Sequence, residues 1–208
     1  MKVLELFAGS RSIGKAAESL GYKVFSVDIN KFKGIDLVID ILNLKKEMIP
    51  FTPDIIWASP PCTYFSVASI GHHWHKNDKP KTKEALLGMK LLNKTLDIFS
   101  WFPKCKFYME NPRGKMRKKI SGINRVTITY CSYGSKNMKP TDIWSNNIYD
   151  IFNPNGWKPK PICFNGNTKC HHEEAPRGSR TGTQGLKDNY ERSKIPKQLC
   201  IDILKTKI

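Results

Sequence analysis

The chain has 208 residues, 39% hydrophobic and 25% charged, which suits one globular domain with a single good core and excludes two full domains. No run approaches the roughly 18 apolar residues a membrane span needs, and residues 1–7 carry Glu5 inside their only apolar run with no small-residue cleavage site, so neither a membrane protein nor a signal peptide is expected. Net charge is +17, from 35 Lys and Arg against 18 Asp and Glu, which makes nucleic acid the first partner to consider, with a Lys-rich solvated surface as the plain alternative.

In chain order, Lys2 to Leu6 reads as a short strand, residues 7–14 as a small-residue turn, and Lys15 to Leu20 as a helix stopped by Gly21. Tyr22 to Val27 is a second strand ending on Asp28. Strand, glycine turn, helix, strand and acid is the order of a nucleotide-type site, in which the acid meets ribose hydroxyls. The competing reading, a phosphate-binding P-loop from Gly9 to Ala16, fails at its last residue, because Ala16 stands where a Ser or Thr must hold the metal. A third apolar run, Asp36 to Ile41, also contains an acid, Asp40, and a fourth strand spans Asp54 to Ala58. Strands alternating with short helices predict a parallel, doubly wound sheet.

Pro60 and Pro61 lack N–H donors and have fixed φ, so the fourth strand must stop there and present Cys62. Beyond it, His72-His73-Trp74-His75-Lys76 is polar and basic; three near-adjacent histidines could hold a metal, but a DNA-facing loop is the preferred reading. Apolar spacing from Glu84 to Phe102 predicts a helix burying Leu86, Leu87, Met89, Leu91, Leu92, Leu96, Ile98 and Phe99. Lys106 to Glu110 is a fifth strand, followed by Asn111-Pro112-Arg113-Gly114. Parallel strands share one carboxyl rim, so Cys62 and Glu110 are expected as neighbours. Val126 to Tyr130 and Thr141 to Trp144 are expected to complete the sheet as an antiparallel pair.

From Asn153 to Asn189, prolines and glycines permit no long element. The six cysteines have no regular spacing and suggest thiols or metal ligands in a reducing compartment. Cys163, Cys170 and His171 fall inside this coreless stretch, where a structural zinc would act as a staple, with the fourth ligand unidentified. Arg177 to Gly185 is cationic and glycine-rich, suited to a phosphate backbone. Ile195 to Leu204 reads as a short amphipathic helix with proline near its start.

Leu6-Phe7-Ala8-Gly9, Asp28, Asp40, Pro60-Pro61-Cys62, Glu110-Asn111-Pro112 and the terminal Ile195-Pro196-x-x-Leu199 together resemble, in order and spacing, the DNA (cytosine-5)-methyltransferases. The resemblance covers residues 1–146 and the final helix. It implies an α/β, Rossmann-like methyltransferase sheet, mostly parallel with one antiparallel strand, and a small loop-rich C-terminal insertion. The division implied is a catalytic core at 1–146, a reduced recognition segment at 147–190, and a helix at 191–208 packing back on the core. S-adenosylmethionine is the implied methyl donor, held by Phe7, Ala8, Gly9, Asp28, Ile29, Asp40, Ile41 and Pro60, with Asp28 on the ribose hydroxyls and Asp40 on the adenine amino group.

By the same resemblance, Cys62 adds to C6 of a cytosine flipped out of duplex DNA, while Glu110 assists at N3, which makes C5 nucleophilic. Asn111 is expected to fix the loop of Pro60 and Cys62, and Lys139 to supply a cation near the base O2. His73, Trp74, Lys76, Arg113, Arg177 and Arg180 are the expected DNA contacts. The sequence departs from the family at Glu5, where Asp is usual, and after Tyr133-Gly134, where Asn137, Lys139 and Thr141 replace a Gln-x-Arg-x-Arg element. The recognition region is also much shortened, so specificity is low, very short or supplied by a partner. A compact viral or mobile-element enzyme, or one of restriction-modification origin, fits these reductions, and a monomer in the cytoplasm of a bacterial or phage-infected cell is expected. The competing functions are a catalytically weak DNA-binding or donor-binding accessory protein, and a methyltransferase acting on RNA or on an exocyclic base amine.

Overall fold

The computed structural model describes residues 1–67, 69–173 and 188–206. Seven strands, β1 (Lys2–Leu6), β2 (Lys23–Asp28), β3 (Leu37–Val38), β4 (Ile55–Ala58), β5 (Lys106–Pro112), β6 (Arg125–Thr129) and β7 (Pro140–Ser145), form one sheet in the order β3-β2-β1-β4-β5-β7-β6. The first five are parallel, and β7 is antiparallel to both its neighbours. The helices among the described residues are α1 (Ser12–Ser19), α2 (Ile70–His73), α3 (Lys83–Ser100), α4 (Asn189–Ser193) and α5 (Lys197–Leu204). None of them is long and apolar enough to cross a membrane.

The central strands are buried on both faces, as parallel strands covered by helices must be. Alternation divides their side chains. Leu4, Leu6, Ile56 and Ala58 face α3, packing with Leu92, Ile98 and Phe99. Val3, Ile55 and Trp57 face the other way, against Ile13 and Ala17 of α1 and Leu199, Ile203 and Leu204 of α5. Each fully buried aliphatic side chain contributes roughly 1.5–3 kcal/mol, so the terminal helix is an integral part of this second core.

Several boundaries differ from the sequence reading. β3 has only two residues, because Asp40 turns the chain into a 3-10 turn at Ile41–Asn43 by accepting the Leu42 N–H at 2.9 Å. β5 continues through Pro112, since β7 pairs with Asn111 and Pro112. α1 begins at Ser12, three residues early, because the buried Glu5 carboxylate accepts the Ile13 N–H at 3.1 Å. On α3 the buried stripe is Ala85, Gly88, Leu91, Leu92, Thr95, Ile98 and Phe99, whereas Leu86 and Leu87 are exposed. At 100° per residue, positions 86 and 87 fall beyond the edge of the arc that these buried residues occupy.

The strand order reverses between β1 and β4, and the carboxyl ends of β1, β2, β4 and β5 open on one rim, where doubly wound sheets bind ligands. Because β7 runs the opposite way, its first residues lie at this same rim, Thr141 opposite Pro112.

Candidate active site

At the rim, a cavity of about 320 Å³ is lined by Phe7 and Gly9 after β1, Asp28 at the end of β2, Pro60 and Cys62 after β4, Glu110 on β5, Lys139 before β7, and Tyr190 and Arg192 on α4. A second cavity of about 180 Å³ adjoins it, sharing Phe7, Asp28, Ile29 and Pro61, and adds Asp40, Ile41 and Leu87. Leu87 is therefore exposed toward this second cavity. A larger cleft of about 440 Å³ lies between the end of α3 and β5, among Leu96, Phe102 and Asn146, and none of the rim residues contributes to it.

Cys62 opens a 3-10 turn, Cys62–Tyr64, and is half-buried. Burial pushes its thiol up, the Glu110 carboxylate pushes it further, and Lys139 and Arg192 pull it back. The loop that follows is seated by three contacts. The Trp74 indole donates to the Tyr64 carbonyl at 2.7 Å, Tyr64 packs over Gly88, and the Lys115 N–H donates to the Phe65 carbonyl at 2.7 Å. At Gly114 a Cβ would lie 2.2 Å from the Phe65 oxygen, so only glycine allows the two backbones to approach this closely.

Glu110 is buried, and its Oε1 accepts the Tyr130 hydroxyl at 2.9 Å and lies 3.9 Å from the Lys139 Nζ. Burial and this carboxylate push the Tyr130 phenol well above its ordinary value, so it remains a donor. Lys139 has a left-handed φ of 30°, its Nζ lies 4.5 Å from the Tyr130 ring centroid, and it donates to the Arg192 carbonyl at 3.3 Å. Asn111 is fully buried, and its Nδ2 donates to the Pro60 carbonyl at 2.8 Å.

The opposite wall, after β1 and β2, is equally built. Asp28 accepts the Gly9 N–H at 2.9 Å and the Asn30 N–H at 2.8 Å, one on each carboxylate oxygen. A carboxylate offers about four lone-pair sites, so two remain for hydroxyl donors. Gly9 has φ +48°, and a Cβ there would point at the Ser193 Oγ at 3.3 Å, across the cavity. The small residue keeps open a space bordered by an acid. Ala8 and Ile41 are buried in the walls, and Ile29 is exposed at the mouth.

Two of the expected DNA contacts are buried. Trp74 is 4% exposed and tilts against Phe65, and His73 is 7% exposed with its Nδ1 2.8 Å from the Thr82 hydroxyl. Trp74 seats the Cys62 loop, and His73 meets the start of α3 and the edge of the Tyr64 ring. Lys76 and Arg113 are exposed, and Arg177 and Arg180 lie outside the described residues.

In the metal set, Cys131, Cys163, Cys170 and His172 place one ligand atom each within 4.8 Å of one another. His171 is not among them, since its Nε2 lies 3.1 Å from the Ser135 carbonyl oxygen. Tyr130, Tyr190, Arg192, Ser193 and Cys131 were invisible to sequence reasoning, because each reaches its partners through tertiary structure without a local motif.

No protein-family model matches the chain. It is 28% identical over 217 aligned residues to a "Probable DNA (cytosine-5)-methyltransferase" of Frog virus 3 (isolate Goorha), covering 98% of this chain and 99% of the relative. Among solved structures, a "putative DNA modification methyltransferase encoded within prophage" from E. coli superposes with a TM-score of 0.53 at 17% identity, covering 78% of this chain, which spans about half (52%) of that one. This likeness shows the methyltransferase fold. Motifs, fold and a relative of the same length agree that the chain resembles the DNA (cytosine-5)-methyltransferases in a compact form.

Proposed function

We propose that the protein transfers a methyl group from S-adenosylmethionine to C5 of a cytosine flipped out of duplex DNA. The observation that carries this reading is that a thiol, a carboxylate and a cation, Cys62, Glu110 and Lys139, line one cavity with a donor-type wall at Gly9 and Asp28.

Each residue type has a task. Cytosine C5 is a poor nucleophile while the ring is aromatic. Cys62, as thiolate, forms a bond to C6 and interrupts that aromaticity, while Glu110 holds N3 through a proton or hydrogen bond. Lys139, between Glu110 and Arg192, offsets the negative charge that the thiolate and carboxylate bring into a desolvated pocket and serves the base O2. Phe7, Gly9, Asp28 and Pro60 hold the methyl donor, and Asp40 with Ile41 holds its adenine end. Bound there, S-adenosylmethionine supplies an electrophilic methyl group. Loss of the C5 proton and of Cys62 from C6 then restores the aromatic ring. Asn111 positions the nucleophile through Pro60. Lys76 and Arg113 are exposed cations suited to DNA phosphates, which agrees with the net charge of +17.

The test is incubation with duplex DNA and methyl-labelled donor, followed by hydrolysis and identification of the base. Labelled 5-methylcytosine is expected. Duplex containing 5-fluorocytosine should trap the native protein covalently and leave Cys62→Ser free. Label on an exocyclic amine or in RNA only, or donor binding without transfer, would overturn the reading in favour of the competing functions.

A further inference from the structure

The loop-rich segment after β7 has no core of its own. It is tied to the sheet through single contacts: among them, Trp157 packs edge-on against Tyr108, the Lys160 N–H donates to the Tyr133 hydroxyl at 2.9 Å, and the Cys163 N–H donates to the Thr129 hydroxyl at 2.9 Å. The last two bring the segment against the turn at Tyr130–Tyr133 that follows β6, and there its two cysteines meet a third. Cys131, Cys163, Cys170 and His172 come from two separate parts of the chain, and all four ligand atoms lie within 4.8 Å of one another. Cys131 is buried, and the other three are half-buried.

We infer that Cys131, Cys163, Cys170 and His172 form a tetrahedral structural zinc site that fastens the segment to the catalytic turn. Zinc–sulfur bonds of about 2.3 Å and zinc–nitrogen bonds of about 2.0 Å give tetrahedron edges of roughly 3.5–3.8 Å. The Cys163 Sγ to His172 Nδ1 distance is already 3.6 Å. Three thiolates and an imidazole complete four-coordination with no position for water, the composition of a structural rather than a catalytic centre. On binding, the three thiols release their protons to solvent and the neutral imidazole donates its lone pair.

The second shell is present. The Asn167 Nδ2 lies 3.2 Å from the Cys163 Sγ as a donor, the kind of contact that fixes a thiolate ligand. A further consequence lies at the rim. Cys131 adjoins Tyr130, the donor to Glu110, and just beyond His172 the Glu173 N–H donates to the Lys136 carbonyl at 2.8 Å, three residues before Lys139. The zinc site would therefore brace both sides of the turn that delivers Tyr130 and Lys139.

The test is elemental analysis of the full-length protein purified from zinc-supplemented medium, together with cobalt substitution. About one zinc per chain is expected, as are the thiolate-to-cobalt charge-transfer bands and intense visible bands of a tetrahedral cobalt site. His172→Ala should lose most of the metal and His171→Ala should keep it, which separates two neighbours of equal chemistry. Cys131→Ser, Cys163→Ser and Cys170→Ser should each lose the charge-transfer bands. Should the cysteine variants aggregate, the native protein and the histidine pair decide alone. Less than about a tenth of an equivalent of zinc in the native protein, loss of metal from His171→Ala with retention in His172→Ala, or a disulfide among these cysteines in freshly purified protein would overturn the inference. Metal content is measured without DNA or methyl donor, so the outcome is independent of the proposed activity.

Discussion

Asn111 on β5 donates its Nδ2 proton to the carbonyl of Pro60, the residue two before Cys62, at 2.8 Å, while its own Oδ1 is buried without a hydrogen-bond partner among the described residues. The side chain is thus committed to holding one loop. Removing the donor in Asn111→Ala leaves the buried Pro60 carbonyl unpaired, which costs about 1–3 kcal/mol. Denaturant unfolding should show that loss, and single-turnover methyl transfer should fall further than the stability change alone explains. An Asn111→Ala protein of unchanged rate would remove Asn111 from the positioning role.

Gly114 makes the sharpest steric prediction. A Cβ there meets the Phe65 carbonyl oxygen at 2.2 Å, and backbone cannot swing aside as a flexible side chain would. Gly114→Ala should displace the Cys62 loop, destabilise the protein by about 1–3 kcal/mol and slow formation of the covalent adduct with 5-fluorocytosine DNA. Gly71→Ala, where nothing lies within 4 Å, is the matched control and should change neither.

Lys139 and Arg192 are the cations that hold the Cys62 thiol down against burial and Glu110. Lys139→Gln should shift the rising limb of the rate-against-pH profile to higher pH and slow transfer at neutral pH by about 10- to 100-fold. Lys139→Arg should recover part of the rate, since charge is kept while geometry changes. An unshifted limb in Lys139→Gln would show that Lys139 does not govern the thiol.

Glu5 gives stability an unusual pH dependence. Burial raises its carboxyl to about 7, against hydrogen bonds from Ile13 and Ser26 and the nearby Arg11. The folded state therefore binds a proton that the unfolded state has lost, between the ordinary value of 4.5 and about 7. Stability should fall as pH rises through that window, by an amount of order 3 kcal/mol, and level off above it. Glu5→Gln should flatten the dependence in urea titrations at pH 5, 6 and 7.5. A native protein whose stability rises across this window would contradict the raised carboxyl.

Stripping zinc with a chelator at neutral pH should release the brace on the Tyr130–Tyr133 turn. Methyl transfer should fall, and protease cleavage within residues 147–173 should accelerate. Restoring zinc, but not magnesium, should reverse both. Rapid cleavage that zinc does not slow would leave the segment unbraced.

The rim could be read from sequence because prolines and small residues mark strand ends locally. Pro60-Pro61 stops β4 where expected, and Cys62 and Glu110 share a cavity as parallel topology requires. What escaped depends on distant contacts. Trp74 looked like part of a basic loop, yet its indole has an acceptor in the Tyr64 carbonyl and a partner in Phe65, so burying it is favourable. His171 and His172 are identical in composition, and only the direction of the backbone decides that His172 faces the cysteines. Cys131 sits beside a strand with no local metal spacing, and Arg192 meets Lys139 through a backbone carbonyl on a stretch held by Tyr190 against Phe32 and by Ile195 on the Ser12 hydroxyl.

The reversed direction of β7 also sets a mechanical linkage. The chain leaves Ser145 at the end of the sheet away from the rim, crosses over Tyr108 at Trp157, and returns to the rim at Cys163. One continuous span therefore ties the far end of the sheet to the turn that carries Tyr130, whose hydroxyl meets Glu110 at the rim.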